Sequence, residues 1–197
     1  MAVPVSSPDR RQLRRSLRRQ IRLFCGPLRS KAETTVARSL IRHPWFCRAR
    51  HVAIYLAFDG ELDLTMFIRT ATAQGRRLFA PQLSPSRQRM RFIHYGRTDT
   101  VGNHFGIDEP AAGRPIDPRS LDLVLLPLVG FDNTGTRIGM GGGHYDRLFS
   151  FLNTRHKWHH PKLLGVGFEF QRQQTLPREP WDVALHGAIT ERRRDFF

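Results

Sequence analysis

Gly139, Gly141, Gly142 and Gly143 fall within five consecutive positions of the segment GMGGGHYDRLFSFL (139–152), which follows LDLVLLPLVGFDNTGTRI. Each glycine adds backbone entropy that folding must remove, so their clustering between an apolar run and an amphipathic one implies a need for bare backbone. Successive N–H groups in such a loop can converge on an anion at the positive end of the following helix, where any side chain would hold a phosphate away. The location also suits a ligand, because open α/β sheets bind at the carboxyl ends of their strands. The common phosphate loops do not fit: no Gly-Lys-Ser/Thr is present, and Gly139-x-Gly141-x-x-His144 lacks the last glycine of the dinucleotide fingerprint. On glycine content alone, a structural turn remains an alternative.

Other residues could also do chemistry. Asp146 stands just after the glycines and Asp182 in PWD; by themselves they read as a first-turn helix residue and a turn cap. Glu61, beside Asp59 and Asp63, reads on spacing as a solvated turn residue. Residues 10–22, RRQLRRSLRRQIR, hold seven arginines, while Leu13, Leu17, Ile21, Phe24 and Leu28 recur at intervals of three and four. That is the apolar stripe of an amphipathic helix, whose basic face is either solvated or turned in part toward an anionic ligand. His156, His159 and His160 in RHKWHH read as a polar surface loop, since neither carboxylate nor cysteine accompanies them. Cys25 and Cys47 have no neighbour at metal or redox spacing and read as buried thiols of a reducing compartment.

The elements that must position these groups alternate along the chain. Gly26-Pro27 breaks the basic helix, and a second helix is expected over about 30–43. HVAIYLAF (51–58) predicts a strand, 64–74 a helix capped by Asp63 or Thr65, and RRLFAPQL (76–83) a strand. MRFIHY (90–95) alternates and predicts a more exposed strand; 96–119 is rich in turn residues. LDLVLLPLV predicts the central buried strand, and Tyr145, Leu148, Phe149 and Leu152 share one side of the helix after the glycines. KLLGVGFEF and WDVALHGAIT (181–190) predict the last strands. This order favours an α/β fold: one three-layer α/β/α domain, Rossmann-like, with a largely parallel sheet and the N-terminal basic helix packed on it. Residues 1–9 are expected to be flexible and 10–197 to form the single domain.

The composition narrows the partners. With 32 Lys and Arg against 17 Asp and Glu, the formal net charge is +15, which favours polyanions without choosing between nucleic acid, nucleotide and a charged small substrate. The longest apolar stretch, Leu123 to Phe131, contains Pro127 and Gly130 and falls far short of the roughly 20 residues that span a bilayer. No membrane association is expected. The Arg-rich opening lacks a signal-peptide core, and Asp9 argues against a transit peptide, so a cytoplasmic location is expected.

The run PLVGFDNTGTRIGMGGGHYDR resembles the signature of the 5-formyltetrahydrofolate cyclo-ligase (methenyltetrahydrofolate synthetase) family, approximately P-x-x-x-F-D-x-x-G-x-R-[LI]-G-x-G-x-G-[YF]-Y-D. The Arg-rich opening with Leu13-Arg14, IYLAFDGELD, GVGFEFQ (165–171) and LPREPWD (176–182) follow in the family's order, so the resemblance covers about residues 10–190. It implies ATP- and Mg²⁺-dependent conversion of 5-formyltetrahydrofolate to 5,10-methenyltetrahydrofolate, with ADP and phosphate released, by a protein expected to be monomeric. By the same resemblance Arg137, Ile138, Gly139, Met140, Gly141, Gly142, Gly143, His144 and Tyr145 form the ATP-phosphate loop. Met140, Gly141, Gly142, Gly143 and His144 also face the folate, which Leu56 and Glu61 contact. Asp146 and Asp182 match magnesium-binding aspartates. Arg14 matches an arginine that contacts substrate and phosphate, and with Tyr145 is the expected catalytic pair.

Two departures from the family pattern stand out. Arg10 occupies the place of an ATP-binding lysine, with Arg11 as a rival, and His144 replaces the first tyrosine of Tyr-Tyr-Asp. Met140 and Gly142 leave the glycine loop uncharged, so Mg²⁺ and outlying arginines must neutralise phosphate. The departures keep open a folate- or nucleotide-binding relative without the activity. A nucleic-acid-binding protein would use the arginines but gives no account of GMGGGHYD.

Overall fold

The computed structural model describes residues 9–84, 89–96, 100–102, 108–154 and 160–197. Helix α1 (Arg10–Leu23) is capped by Asp9, whose carboxylate accepts the Arg11 N–H; the rest of the expected flexible N-terminus lies outside the described residues. Gly26 and Pro27, which end the run of α1, open α2 (Gly26–Ile41), because proline is tolerated in a first helical turn. The second helix therefore starts earlier than expected. Leu28 belongs to it and is 72% exposed instead of extending the stripe of α1. A short α3 (Pro44–Arg48) precedes β1 (His51–Ala53), then α4 (Thr65–Ala73) and β2 (Arg77–Leu83). Asp63 does hold the start of α4, accepting from Thr65 N and Oγ1.

The next strands are β3 (Met90–Tyr95), β4 (Thr100–Gly102), β5 (Asp108–Pro110), β6 (Pro115–Ile116), β7 (Leu123–Pro127), β8 (Gly130–Phe131) and β9 (Arg137–Ile138). After the glycines come α5 (His144–Phe149), α6 (Phe151–Thr154), β10 (Lys162–Val166), β11 (Gly187–Ile189) and β12 (Arg194–Phe196). The main sheet has the order β12-β11-β10-β7-β1-β2-β3-β6. Strands β11, β10, β7, β1 and β2 pair in parallel, and the pairings that add β12, β3 and β6 at the edges are antiparallel. Alternate residues of β7 feed opposite faces: Leu123 and Leu125 pack under α2, α3 and α4, whereas Val124 and Leu126 pack with Phe149 of α5. These are the three layers of an α/β fold.

Some elements depart from expectation. The first expected strand pairs only over 51–53 and the last expected one only over 187–189, and β12 follows it. Strand β3 is less exposed than its alternation implied: Phe92 and Ile93 are fully buried on opposite faces beside β2. Cys25 and Cys47 are exposed, not buried. Residues 155–159, and with them His156 and His159, lie outside the described residues.

Helix α1 packs beyond the end of β7. Its Leu17 and Ile21 form a separate small core with Val129, Ile138 and Leu176, partly joined by Leu13. The β8–β9 ribbon under it turns on Asp132, which is 1% exposed. Its Oδ1 accepts the N–H groups of Thr134 and Thr136, and Oδ2 accepts that of Leu176. One buried carboxylate thus fixes both the ribbon that leads into the glycines and the segment that leads to Asp182. Asp132→Ala would strand three backbone donors and is expected to cost about 2–4 kcal/mol of stability. Denaturant unfolding of the variant checks this, and a loss under about 0.5 kcal/mol would contradict it.

Candidate active site

A cavity of about 1040 Å³ opens where the parallel strands end. Its floor and walls are Tyr55 and Leu56 after β1, Pro81 and Leu83 of β2, and Pro127 and Val129 at the end of β7. Arg10, Arg11 and Arg14 of α1 form one side, and the glycine loop with the start of α5 forms another. Each residue expected at the site lines this cavity except Ile138, whose side chain is fully buried in the small core under α1.

The glycines answer to different requirements. Gly141 (φ +108°) and Gly143 (φ +61°) hold backbone conformations that disfavour side chains. A Cβ at Gly142 would sit 2.6 Å from the His144 ring, whereas one at Gly139 would meet nothing within 4 Å and would simply take up room. Helix α5 has only six residues, so little of the expected dipole stands behind the loop. Cationic side chains grip it instead. Arg14 Nε donates to Gly139 O at 2.9 Å and Arg147 Nη2 to Gly142 O at 2.7 Å. No hydrogen bond among the described residues uses the N–H groups of residues 140–143.

Ion pairs hold the carboxylates beside the loop. Arg137, 6% exposed, places both Nη atoms on Asp146 Oδ1 at 3.1 and 2.8 Å, and Val183 N–H donates to the same oxygen. Burial lowers the Arg137 pKa, and Asp146 opposes that. Arg10 Nη1 meets Asp182 Oδ2 at 2.7 Å, and Glu179 N–H donates to that oxygen. In both aspartates the second oxygen accepts no hydrogen bond among the described residues.

The opposite wall is built around Asp59, Gly60 and Glu61. Asp59 has φ +51°, and Arg18 and Arg22 of α1 both hold its carboxylate. Arg29 of α2 donates to the carbonyls of Gly60 and Glu61. Glu61 Oε2 accepts the Phe58 N–H, and desolvation raises the carboxyl pKa from 4.5 to about 7. Burial also pushes the Tyr145 phenol up, with Glu61 adding to the effect. Its hydroxyl stays a proton donor at neutral pH and has no hydrogen-bond partner among the described residues. His144 Nδ1 lies 3.2 Å from Arg147 Nη2; burial and then Arg147 lower the imidazole pKa.

Residues 6–191 match the sequence model of the 5-formyltetrahydrofolate cyclo-ligase family. The chain belongs to that family. The 5-formyltetrahydrofolate cyclo-ligase of Escherichia coli (strain K12) is 38% identical over 160 residues, covering 78% of this chain and 85% of the relative. That of Haemophilus influenzae is 33% identical over 184 residues, covering 88% and 95%. The solution structure of the 5,10-methenyltetrahydrofolate synthetase of Aquifex aeolicus superimposes with a TM-score of 0.81 at 26% identity, over 95% of this chain and 92% of that one.

The cyclo-ligase signature thus falls on one cavity rather than on scattered turns. Arg147, Trp181, Tyr55, Phe58 and Glu109 also line it and were not anticipated. Arg147 stands one helical turn after Gly143, a spacing that could have drawn attention. Glu109 lies in a Gly- and Pro-rich connection that carried no pattern. Among the described residues no group of three potential metal ligands occurs, and no helix is long and apolar enough to cross a membrane.

The raised Glu61 pKa has a defined sign. The folded chain holds this proton more tightly than the unfolded one, so the contribution is most favourable below about pH 4.5 and is lost as pH rises through about 7. Glu61→Gln removes the titration, and its melting temperature should gain on the unsubstituted protein as pH rises between about 5 and 8. A difference that stays constant across that range in thermal scans would show that Glu61 titrates normally.

Proposed function

We propose that this protein uses ATP to convert 5-formyltetrahydrofolate to 5,10-methenyltetrahydrofolate, releasing ADP and phosphate. The observation that carries this reading is the cavity itself, which sets uncommitted backbone N–H groups, arginines and a pair of aspartates against a carboxylate in an apolar wall. The first group suits a triphosphate, and the second suits a pterin, whose ring presents several N–H donors on one edge.

The formyl amide oxygen is a poor leaving group. In the proposed reaction it attacks the terminal phosphorus of ATP and ADP departs. The neighbouring anilino nitrogen then attacks the formyl carbon and loses its proton, and phosphate leaves with the oxygen as the ring closes. Such chemistry asks the protein for position and charge more than for a nucleophile. Loop N–H groups and Arg14 would hold the phosphoryl group, with Arg10, Arg11 and Arg137 around the nucleotide. Tyr145, kept protonated by burial, would donate a hydrogen bond where oxygen gains charge. Glu61 would read the pterin edge and Leu56 pack against it. A desolvated carboxylate binds a row of donors most strongly because it has so little water to lose.

Mg²⁺ fits the acidic side of the cavity. Asp146 and Asp182 each keep one oxygen unused among the described residues, and a hard cation takes one or two carboxylates together with phosphate oxygens. Bound there, it would shield the phosphates and polarise the transferring group. Arg10 and Arg137 occupy the other oxygen of each aspartate and would hold both carboxylates in place for it.

The direct test mixes protein, 5-formyltetrahydrofolate, ATP and Mg²⁺ and follows the near-ultraviolet absorbance of methenyltetrahydrofolate, omitting each component in turn. Product that requires all four is expected; none formed by a folded protein overturns the reading. Asp182→Asn should shift the Mg²⁺ dependence of turnover to higher concentration by about tenfold or more. An unchanged dependence removes Asp182 from the metal site. Gly139→Val adds bulk where nothing within 4 Å resists it. The fold should therefore hold, with a melting temperature within about 3 °C, while ATP affinity measured by calorimetry falls by about tenfold or more. Normal ATP affinity in that variant would take the loop away from the phosphates.

A further inference from the structure

The glycine loop has no charged side chain of its own, and two of the five arginines that line the cavity are committed to carboxylates. Arg10 pairs with Asp182 and Arg137 with Asp146. Arg147 differs. It lines the cavity, is exposed, and makes no ion pair with a carboxylate among the described residues. Its Nη2 rests on Gly142 O at 2.7 Å and near His144 Nδ1 at 3.2 Å. Nη1 would lie only 3.0 Å from a Cβ built at Gly143. The guanidinium therefore lies along the last two glycines. At the other end Arg14 donates to Gly139 O, and its Cζ would be 3.6 Å from a Cβ at Gly141. The loop is bracketed by two arginines that each place one donor on its carbonyls; Arg147 gives a second to His144 Nδ1, and the remaining donors are available to a ligand. An N–H fork with donors to spare beside unused backbone N–H groups matches the several oxygens of a phosphate chain.

We propose that Arg147 is a phosphate-binding residue of the ATP site, the second arm of a clamp whose first arm is Arg14. It supplies at the far end of the loop the positive charge that the glycines lack. The contact to His144 Nδ1 fits the same role, since it needs a neutral imidazole that accepts, so His144 adds no charge of its own beside Arg147. The assignment rests on the proposed ATP-dependent activity.

Calorimetric titration with ATP, ADP and AMP, and separately with 5-formyltetrahydrofolate, tests it on the intact protein and on Arg147→Met, Arg147→Gln and Arg147→Lys. The expected result is a loss of about tenfold in ATP affinity for Met and Gln, the equivalent of one charge-assisted hydrogen bond. The loss should shrink from ATP to AMP, Lys should recover part of it through its charge without the fork, and folate affinity should stay within about twofold in every variant. Wild-type ATP affinity in Arg147→Met overturns the assignment. So does a parallel loss of ATP and folate, which marks a side chain that only shapes the loop, and so does equal recovery by Gln and Lys. Failure of the unsubstituted protein to bind ATP overturns the activity itself, and is told apart because no variant is needed to see it.

Discussion

The pair between Arg137 and Asp146 is the contact on which the rest of the site depends. Arg137 belongs to the ribbon before the glycines and Asp146 to the helix after them, so the pair closes the loop from beneath. Asp146 also accepts the Val183 N–H and so draws the Asp182 segment to the same point. A guanidinium with 6% exposure is stable only when its charge is met, and removing either partner would leave the other buried without compensation. The need to satisfy that charge joins three segments far apart in the chain and leaves the glycines spanning a fixed gap.

Arginine does similar work elsewhere. Arg18 and Arg22 hold Asp59 in its left-handed conformation, and Arg29 reaches the carbonyls of Gly60 and Glu61, so cations of α1 and α2 shape the wall opposite the glycine loop. The charge of +15 is thus in part an internal scaffold. Guanidinium suits it because several donors in a plane can bridge carbonyls and carboxylates that one ammonium could not reach together.

The sequence made the layered fold legible because alternation of elements and the run Leu123 to Pro127 constrain a sheet from both faces, and its neighbours must be parallel strands. It was less informative where length or direction depended on tertiary contacts. The apolar run 51–58 reads as one strand, yet after Ala53 the chain leaves the ladder to line the cavity, and no residue type marks the exit. Phe92 and Ile93 lie side by side, so both being buried breaks the simple two-residue alternation; Phe92 packs against Phe149 of α5, and Ile93 on the other face lies close to Gly113. Leu28 kept the spacing of the α1 stripe although Gly26 had already turned the chain. At the site, the family resemblance led to the loop, the aspartates and Glu61. It included Ile138, whose place between Arg137 and Gly139 put it in the motif while its side chain served the core. It passed over Arg147, whose relevance depends on a contact to a backbone carbonyl that no spacing rule records.

The division of labour around the cavity follows from desolvation. An apolar wall of Tyr55, Leu56, Phe58 and Pro81 removes water from Glu61, and that same loss of water raises its pKa to about 7 and keeps the Tyr145 phenol protonated. On the opposite side the loop offers backbone donors whose dipoles are fixed, with cations placed behind them and little side-chain volume in front. In the proposed reaction a carboxylate placed there would repel a phosphate, and a longer side chain would take up room in front of the donors. Bare peptide resolves the conflict because it carries hydrogen-bond donors in almost no space. In the proposed reaction the glycines would let two polar ligands meet across one thin layer of backbone, with the charge moved outward to arginines anchored on its carbonyls.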